Sequence, residues 1–272
     1  MINGTQTGVR TRIARTLGDP AGIGPELGAK ILADPQNYKK ADIFVMADAS
    51  EVRAAASLAR VTIPIADVAG PDGVQVQDDG TATAANIQAA ERGEIDGIVF
   101  MPLNKTSLSM AGMHEEDELH WFSNYLKYNE FTTEINTIHA LWTARVTSHV
   151  AMKDLASLIT PNKVTEAIVL IRPLLQEYGI AEPRIGVCAL NPHNGGHGLF
   201  GREEIDAIIP GVKAAVSKGI DNYDGIVTMY HDQGQIALEV IGFDGAVTLH
   251  GGLPVITATP AHGTAFNIVE EW

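Results

Sequence analysis

Cysteine is almost missing from this sequence. Cys188 stands alone in 272 residues, so no internal disulfide can form and the fold must be held by its core. Apolar runs never approach the roughly 20 residues that a membrane span needs. Residues 1–15 carry Arg10, Arg12 and Arg15 but no apolar stretch of the kind a secretory signal requires. A cytoplasmic protein is expected on these grounds. Positive charge is also scarce: 19 Lys and Arg face 33 Asp and Glu, a formal net charge of -14. Such a balance repels polyanions unless cations gather locally, which sets aside nucleic acid and anionic membrane as partners. Internal repeats and low-complexity tracts are lacking, and the 27 Gly and 13 Pro fall in short clusters rather than in one linker.

What is present is a chain, 45% hydrophobic, long enough for one large or two moderate domains. Short apolar or β-branched runs at Ile43–Met46, Gly97–Met101, Ala144–Val150, Ile185–Leu190 and Gly225–Tyr230 read as buried strands. Helical spacing occupies Pro25–Leu32, Ser50–Ala59, Thr81–Arg92, Glu118–Leu126, Asn162–Tyr178 and Glu203–Lys218. The alternation predicts an α/β class with a largely parallel sheet and one antiparallel edge. In such sheets ligands collect at the carboxyl ends of strands. Four of the predicted strands end in Pro102-Leu-Asn-Lys105, His149, Asn191-Pro-His193 and His231-Asp-Gln-Gly234.

Histidine at three equivalent strand ends points to metal chemistry. His149, His193 and His231 are too far apart in sequence for any local zinc-finger spacing, but one sheet edge can bring three imidazoles to one ion and leave positions open for substrate. Such an ion would hold a hydroxyl and its neighbouring oxygen and stabilise the negative charge that develops on oxidation. The other histidines read differently. His114 and His120, in an acidic stretch, read as solvated or helix-flanking; His139 reads as structural; His197 and His250 lie in Gly-rich loops. His262 follows Pro260 in a turn where backbone N–H groups can approach a ligand.

Six ordered motifs then resemble one family. Leu17-Gly-Asp-Pro-Ala-Gly-Ile-Gly-Pro-Glu26, Pro102-Leu-Asn-Lys105, Val146-Thr-Ser-His149, Leu190-Asn-Pro-His193, Met229-Tyr-His-Asp-Gln-Gly234 and His262-Gly-Thr-Ala265 are similar to those of the 4-hydroxythreonine-4-phosphate dehydrogenase family of pyridoxal phosphate biosynthesis and its paralogues. The resemblance runs from about Ile13 to the C-terminus. It implies an isocitrate/isopropylmalate dehydrogenase-like fold, two α/β domains flanking a cleft, assembled as a homodimer with shared active sites. The domains are expected to interleave, residues 1–20 with about 130–240 and about 21–129 with 241–272. The resemblance further implies metal ligation by His149, His193 and His231, with zinc first and cobalt, nickel, manganese or magnesium as alternatives. It implies NAD or NADP as hydride acceptor, bound without a Rossmann fingerprint, with Asn191, His262, Gly263, Thr264 and Ala265 as the candidate cofactor-binding residues. The implied reaction oxidises a secondary alcohol, with loss of carbon dioxide from the resulting keto acid in the founding activity. Lys105 is the candidate for an anionic substrate or cofactor group, or else a solvent-facing helix start. Asp232 is the candidate to orient His231 or reach the ion through water, and Asn191 could instead anchor its own loop.

Departures from the family fall on substrate contacts. Its Gly-His-Thr-Glu motif reads Asp117-Glu118-Leu119-His120 here, and its Lys, Asn and Arg after the His-Asp-Gln-Gly loop read Glu239, Thr248 and Thr257. The candidate substrate residues are therefore Glu118, His120, Glu239, Thr248 and Thr257, in a site stripped of two cations. These replacements favour an unphosphorylated hydroxy acid, a diol or a dihydrodiol carboxylate over a phosphorylated substrate. A catalytically silent protein that binds metal and nucleotide, and a metal-dependent lyase or hydrolase, are the competing readings. The segment near Lys218-Gly-Ile-Asp221 reads as shorter than the family's by fifteen to twenty residues, and the chain is expected to end early at Trp272.

Overall fold

A computed structural model describes residues 10–77, 82–110, 112–115, 117–139, 141–215, 223–242 and 245–269. The chain divides into two units, residues 1–114 with 254–272 and residues 115–253. The interleaving expected near residues 20, 129 and 240 is thus displaced. The reason lies in strand β1 (Thr11–Arg15), which pairs with β2 (Ala41–Met46) and β4 (Gly97–Val99) and so keeps the first twenty residues with the next ninety.

The first unit is a parallel sheet in the order β3-β2-β1-β4-β10, with β3 at Gln75–Gln77 and β10 at Thr257–Pro260. Helices α1 (Gly24–Ala33), α2 (Pro35–Lys40), α3 (Ala49–Leu58) and α4 (Ala82–Glu91) supply the crossovers, and α5 (Lys105–Met110) follows β4. Local chemistry fixes their starts. Asp48 caps α3 in a reciprocal box with Glu51. The turn between β1 and α1 needs Gly18, at φ 77, because a Cβ there would lie 2.6 Å from the carbonyl oxygen of Pro102. Ala29, Leu32, Ile43, Val45, Val52, Ala55 and Val74 form the core beneath.

The second unit has the strand order β9-β5-β6-β8-β7: β5 (Thr133–Ile138), β6 (Leu141–Arg145), β7 (Ile185–Val187), β8 (Gly225–Thr228) and β9 (Val247–Gly251). β6, β8 and β7 run parallel, whereas β5 is antiparallel to both β9 and β6. The reversed strand is therefore internal and not at an edge as the sequence led us to expect, because the hairpin from β5 to β6 folds the chain back at once. Around the sheet run α6 (Glu118–Tyr125), α7 (Leu155–Leu158), α8 (Pro161–Glu177), α9 (Ile209–Ala215) and α10 (His231–Gly242). Thr160 caps α8, and its stripe Val164, Ala167, Ile168, Ile171 and Leu175 packs with Ile135, Trp142, Ala144, Val146 and Val227. The helix expected over 203–218 begins as a wide turn at Glu204–Ile208 before α9. Its end, and the shortened segment near Asp221, lie outside the described residues. Among the described residues no helix is long and apolar enough to cross a membrane.

Arg15 is an anomaly in this core. It is 5% exposed, and among the described residues its Nη2 meets the sulfur of Met101 at 3.3 Å while its Nε finds no hydrogen-bond partner. Burial pushes the guanidinium down to about 10. A buried charge without a carboxylate costs more than the packing it brings. Arg15→Met is expected to raise the unfolding free energy by about 1–4 kcal/mol, read from the urea midpoint. A lower midpoint would show that the guanidinium has an anionic partner after all.

Candidate active site

Parallel pairing sets the site. The ladder continues past β6, β8 and β7 through Val146 N–H to Thr228 O (2.9 Å), Thr147 N–H to Met229 O (3.2 Å) and Cys188 N–H to Val227 O (2.9 Å). All three strands therefore end at the same edge of the second unit, where His149, His231 and His193 follow. The rings of His149 and His231 lie 5.6 Å apart, inclined at 38°. An ion bound by two imidazole nitrogens at a tetrahedral angle places the ring centroids about 5.2 Å apart, so this pair has the spacing for shared ligation. His193 instead lies near Phe200, with centroids 6.3 Å apart. Among the described residues no three His, Cys, Asp or Glu side chains form a ready-made ion site.

Each paired imidazole has one nitrogen held by a carboxylate. His231 Nδ1 is 2.7 Å from Asp232 Oδ1, and His149 Nδ1 is 2.7 Å from Asp117 Oδ2. Asp117 is the N-cap of α6; its Oδ1 accepts the His120 N–H at 2.9 Å and lies 2.7 Å from His120 Nδ1. Burial would raise the Asp117 carboxyl, but the bonds from His120 and His149 outweigh it and hold the group well below the usual carboxylate range. Glu118 follows Asp117 in the first turn of α6, and Leu119 turns into the core.

A row of polar side chains crosses the sheet behind these histidines. The register Ile135↔Ala144 sets Glu134 opposite Arg145, and Glu134 pairs with His250 on its other side. Arg145 is 2% exposed and donates to Glu134 (2.5 Å), Ser148 (3.2 Å), Gln235 (3.3 Å) and Asn136. Asn136 Nδ2 donates onward to Thr248 Oγ1 at 2.7 Å, and Gln235 Nε2 to Glu239 at 3.4 Å. Two of the residues singled out from the sequence thus terminate one chain, Glu239 exposed and Thr248 buried. Burial opposes the charge on Glu134, yet Arg145 and then His149 overcome it and lower its pKa.

The loop after β7 is shaped by another buried carboxylate. Glu204 accepts the N–H groups of Leu190 (2.9 Å) and Asn191 (2.6 Å), and the Asn191 side chain donates to Glu203 (2.6 Å) and Glu204 (3.0 Å). Asn191 is thereby engaged in anchoring its own loop. His193 to His197 all adopt left-handed backbone, at φ between 52 and 72.

Lys105, Thr257 and the loop His262–Ala265 belong to the first unit. Lys105 is exposed at the head of α5, and Thr257 is buried at 1% exposure with no hydrogen-bond partner for its hydroxyl among the described residues. Ile23 N–H donates to Thr264 O at 2.8 Å, and a Cβ on Gly22 would come within 3.0 Å of Thr264. His262 Nδ1 lies 2.9 Å from Gly263 O, Ala265 is left-handed at φ 42, and a Cβ on Gly263 would meet no atom of the described residues within 4 Å. The loop is pinned at Thr264 and open at Gly263, a form suited to backbone contact with a nucleotide.

Sequence reasoning passed over Asp117, Glu134, Asn136, Arg145, Gln235 and Glu204. Asp117 had a readable signal, an N-cap type residue ahead of a helical run. Glu134 and Asn136 alternate on one face of a strand, but only the pairing reveals Arg145 as their partner.

The pyridoxal phosphate biosynthetic protein PdxA family matches residues 29–271. A Pseudomonas aeruginosa protein provisionally named 4-hydroxythreonine-4-phosphate dehydrogenase 2 is 42% identical over 307 aligned positions, covering 94% of this chain and 90% of that one. Because 307 exceeds 272, at least 35 of those positions have no counterpart here. Among solved structures, 4-hydroxythreonine-4-phosphate dehydrogenase from Klebsiella pneumoniae superposes with a TM-score of 0.79 at 27% identity, covering 96% of this chain and 94% of that one. A terephthalate 1,2-cis-dihydrodiol dehydrogenase from Burkholderia xenovorans gives 0.65 at 25%, with 96% and 92% covered. Isocitrate dehydrogenase from Methylococcus capsulatus shares the fold alone, at 0.50 and 12%, with 96% and 80% covered.

Two stability measurements follow from the site. His197→Gly should stabilise the protein by about 1 kcal/mol, since the left-handed conformation costs a side-chain-bearing residue about that much; an unchanged urea midpoint would show that the loop is unstrained. Burial pushes His250 down to about 4 from an ordinary 6.5. Above pH 6.5 neither folded nor unfolded protein protonates it; below, only the unfolded chain does, so stability falls as pH drops from 6.5 towards 4, by about 3 kcal/mol in all. In His250→Leu that part of the pH profile should flatten, and an unchanged profile would assign the loss elsewhere.

Proposed function

The chain belongs to the pyridoxal phosphate biosynthetic protein PdxA family, and from that membership we propose a divalent-metal- and NAD(P)-dependent dehydrogenase that oxidises a secondary alcohol of a small hydroxy acid. The observation that carries this reading is the His149 and His231 pair, 5.6 Å apart with each Nδ1 against a carboxylate, which leaves both Nε2 atoms for an ion. His193 from the neighbouring strand end is the third ligand in this reading. Three imidazoles suit zinc best, and cobalt, nickel or manganese better than magnesium. When bound, the ion supplies Lewis acidity at the substrate hydroxyl and the nicotinamide accepts the hydride.

The protein's own groups do the rest. Asp232 steadies His231, Lys105 offers a cation to an anionic group of substrate or cofactor, and His262–Ala265 hold the nucleotide through the backbone. Exposed Ile236 and Val240, one turn apart on α10, offer apolar surface to a second copy and support a homodimer.

The relatives named for phosphorylated substrates favour a phosphorylated ligand, but this chain's residues favour an unphosphorylated hydroxy acid or diol. Glu239 is exposed where the family has a cation, Thr248 and Thr257 are buried, and Arg145 has its charge absorbed by Glu134. Two charge-assisted hydrogen bonds at about 1.5–3 kcal/mol each are missing, equivalent to at least about 100-fold in affinity. The dihydrodiol dehydrogenase likeness favours a diol carboxylate as the second reading.

Reduction of NAD or NADP, followed by absorbance in a zinc-, cobalt- or manganese-supplemented screen of hydroxy acids and diols, tests this. The expected result is a kcat/KM for 4-phosphohydroxythreonine at least about 100-fold below that of the best unphosphorylated substrate. Efficient turnover of micromolar 4-phosphohydroxythreonine would overturn the altered-substrate reading. Cofactor binding without reduction of any substrate would favour the silent protein.

A further inference from the structure

Asp117 stands where the family motif begins with glycine, and no sequence argument gave it a role. Its carboxylate, 1% exposed, faces two imidazoles at once: Oδ2 lies 2.7 Å from His149 Nδ1, and Oδ1 lies 2.7 Å from His120 Nδ1 while also capping α6 through the His120 N–H. An ionised carboxylate has only lone pairs to offer, so both ring nitrogens that face it must carry hydrogen. We infer that Asp117 is a positioning residue that imposes the Nδ1–H tautomer on His149 and His120 and so presents their Nε2 lone pairs away from the carboxylate. For His149 this is the form able to ligate a metal through Nε2. The inference rests on the metal-site reading above for its purpose, but not for its geometry.

The decisive variant is Asp117→Asn. Asparagine caps helices as well as aspartate does, so α6 keeps its start and the variant folds. To retain the cap its carbonyl oxygen must stay at the Oδ1 position, which turns the amide NH2 towards His149. That donor demands a lone pair at His149 Nδ1 and moves the hydrogen to Nε2. In metal-free protein, 15N-correlated histidine spectra should then show His149 exchanging its protonated nitrogen from Nδ1 to Nε2, with His120 unchanged. Calorimetric titration with zinc should show a 10- to 100-fold weaker site. Asp117→Ser, which keeps a cap but removes the carboxylate, should release the tautomer preference of both histidines.

The tautomer exchange together with weakened zinc binding supports the inference. His149 keeping its proton on Nδ1 in Asp117→Asn, or zinc affinity within twofold of the parent, overturns it. Exchange of tautomer in a protein that binds no zinc in either form supports the positioning role while sinking the metal reading.

Discussion

Burying a carboxylate at the head of a short helix is the constraint on which the candidate site depends. Asp117 has left water behind, and only donors can compensate it; it finds one backbone N–H and two imidazoles. The helix that follows is therefore started by the group that fixes the orientation of His149, a residue 32 positions away in sequence. Folding and site assembly share one interaction, so the imidazoles are set before any ligand arrives. Glu204 repeats the pattern beside β7, where a buried carboxylate gathers the amides of Leu190 and Asn191 and shapes the loop that carries His193.

Charge in the second unit is organised in the same spirit. Arg145 is a cation close to the histidines, yet its two terminal nitrogens are engaged by Glu134, Asn136, Ser148 and Gln235, while its buried Nε finds no partner among the described residues. Buried ion pairs of this kind fix geometry more than they stabilise. The consequence for recognition is that the acidic excess of the whole chain is not offset locally by this cation. Glu118, Asp232 and Glu239 then set the polarity an incoming molecule meets in this unit. Phosphorylated and unphosphorylated substrates differ by charge of the sign this arrangement disfavours.

The sequence made some of this legible and hid the rest for physical reasons. Strands β2, β4, β7 and β8 are dense in β-branched and apolar residues and announce themselves, as do the amphipathic α3 and α8, whereas the run expected at Ala144–Val150 shares only Ala144 and Arg145 with β6. β1 was missed because Arg12 and Arg15 interrupt its apolar pattern, β3 because it is three residues long, and β5 because Glu134 and Asn136 face a polar row rather than solvent or core. Strand-end histidines could be read from local pattern since parallel pairing sends strand ends to one edge. Asp117 and Arg145 could not, since their partners lie across pairings that no local window contains. His193 is intermediate: its place after β7 was foreseen, but not the left-handed turn of the backbone that carries it.

The reversal of β5 has an effect at a distance. A parallel strand delivers its last residues to the edge where ligands gather, whereas an antiparallel one delivers its first, so Glu134 and Asn136 reach that edge from the beginning of their strand. His139, which follows β5, lies at the other end of the hairpin. Since side chains alternate along a strand, adding a single residue at that turn would slide the register and exchange inward and outward faces, parting Glu134 from Arg145. The length of a remote two-residue connection is thus written into the electrostatics of the site, which makes hairpin insertions in relatives as informative about specificity as substitutions beside the histidines.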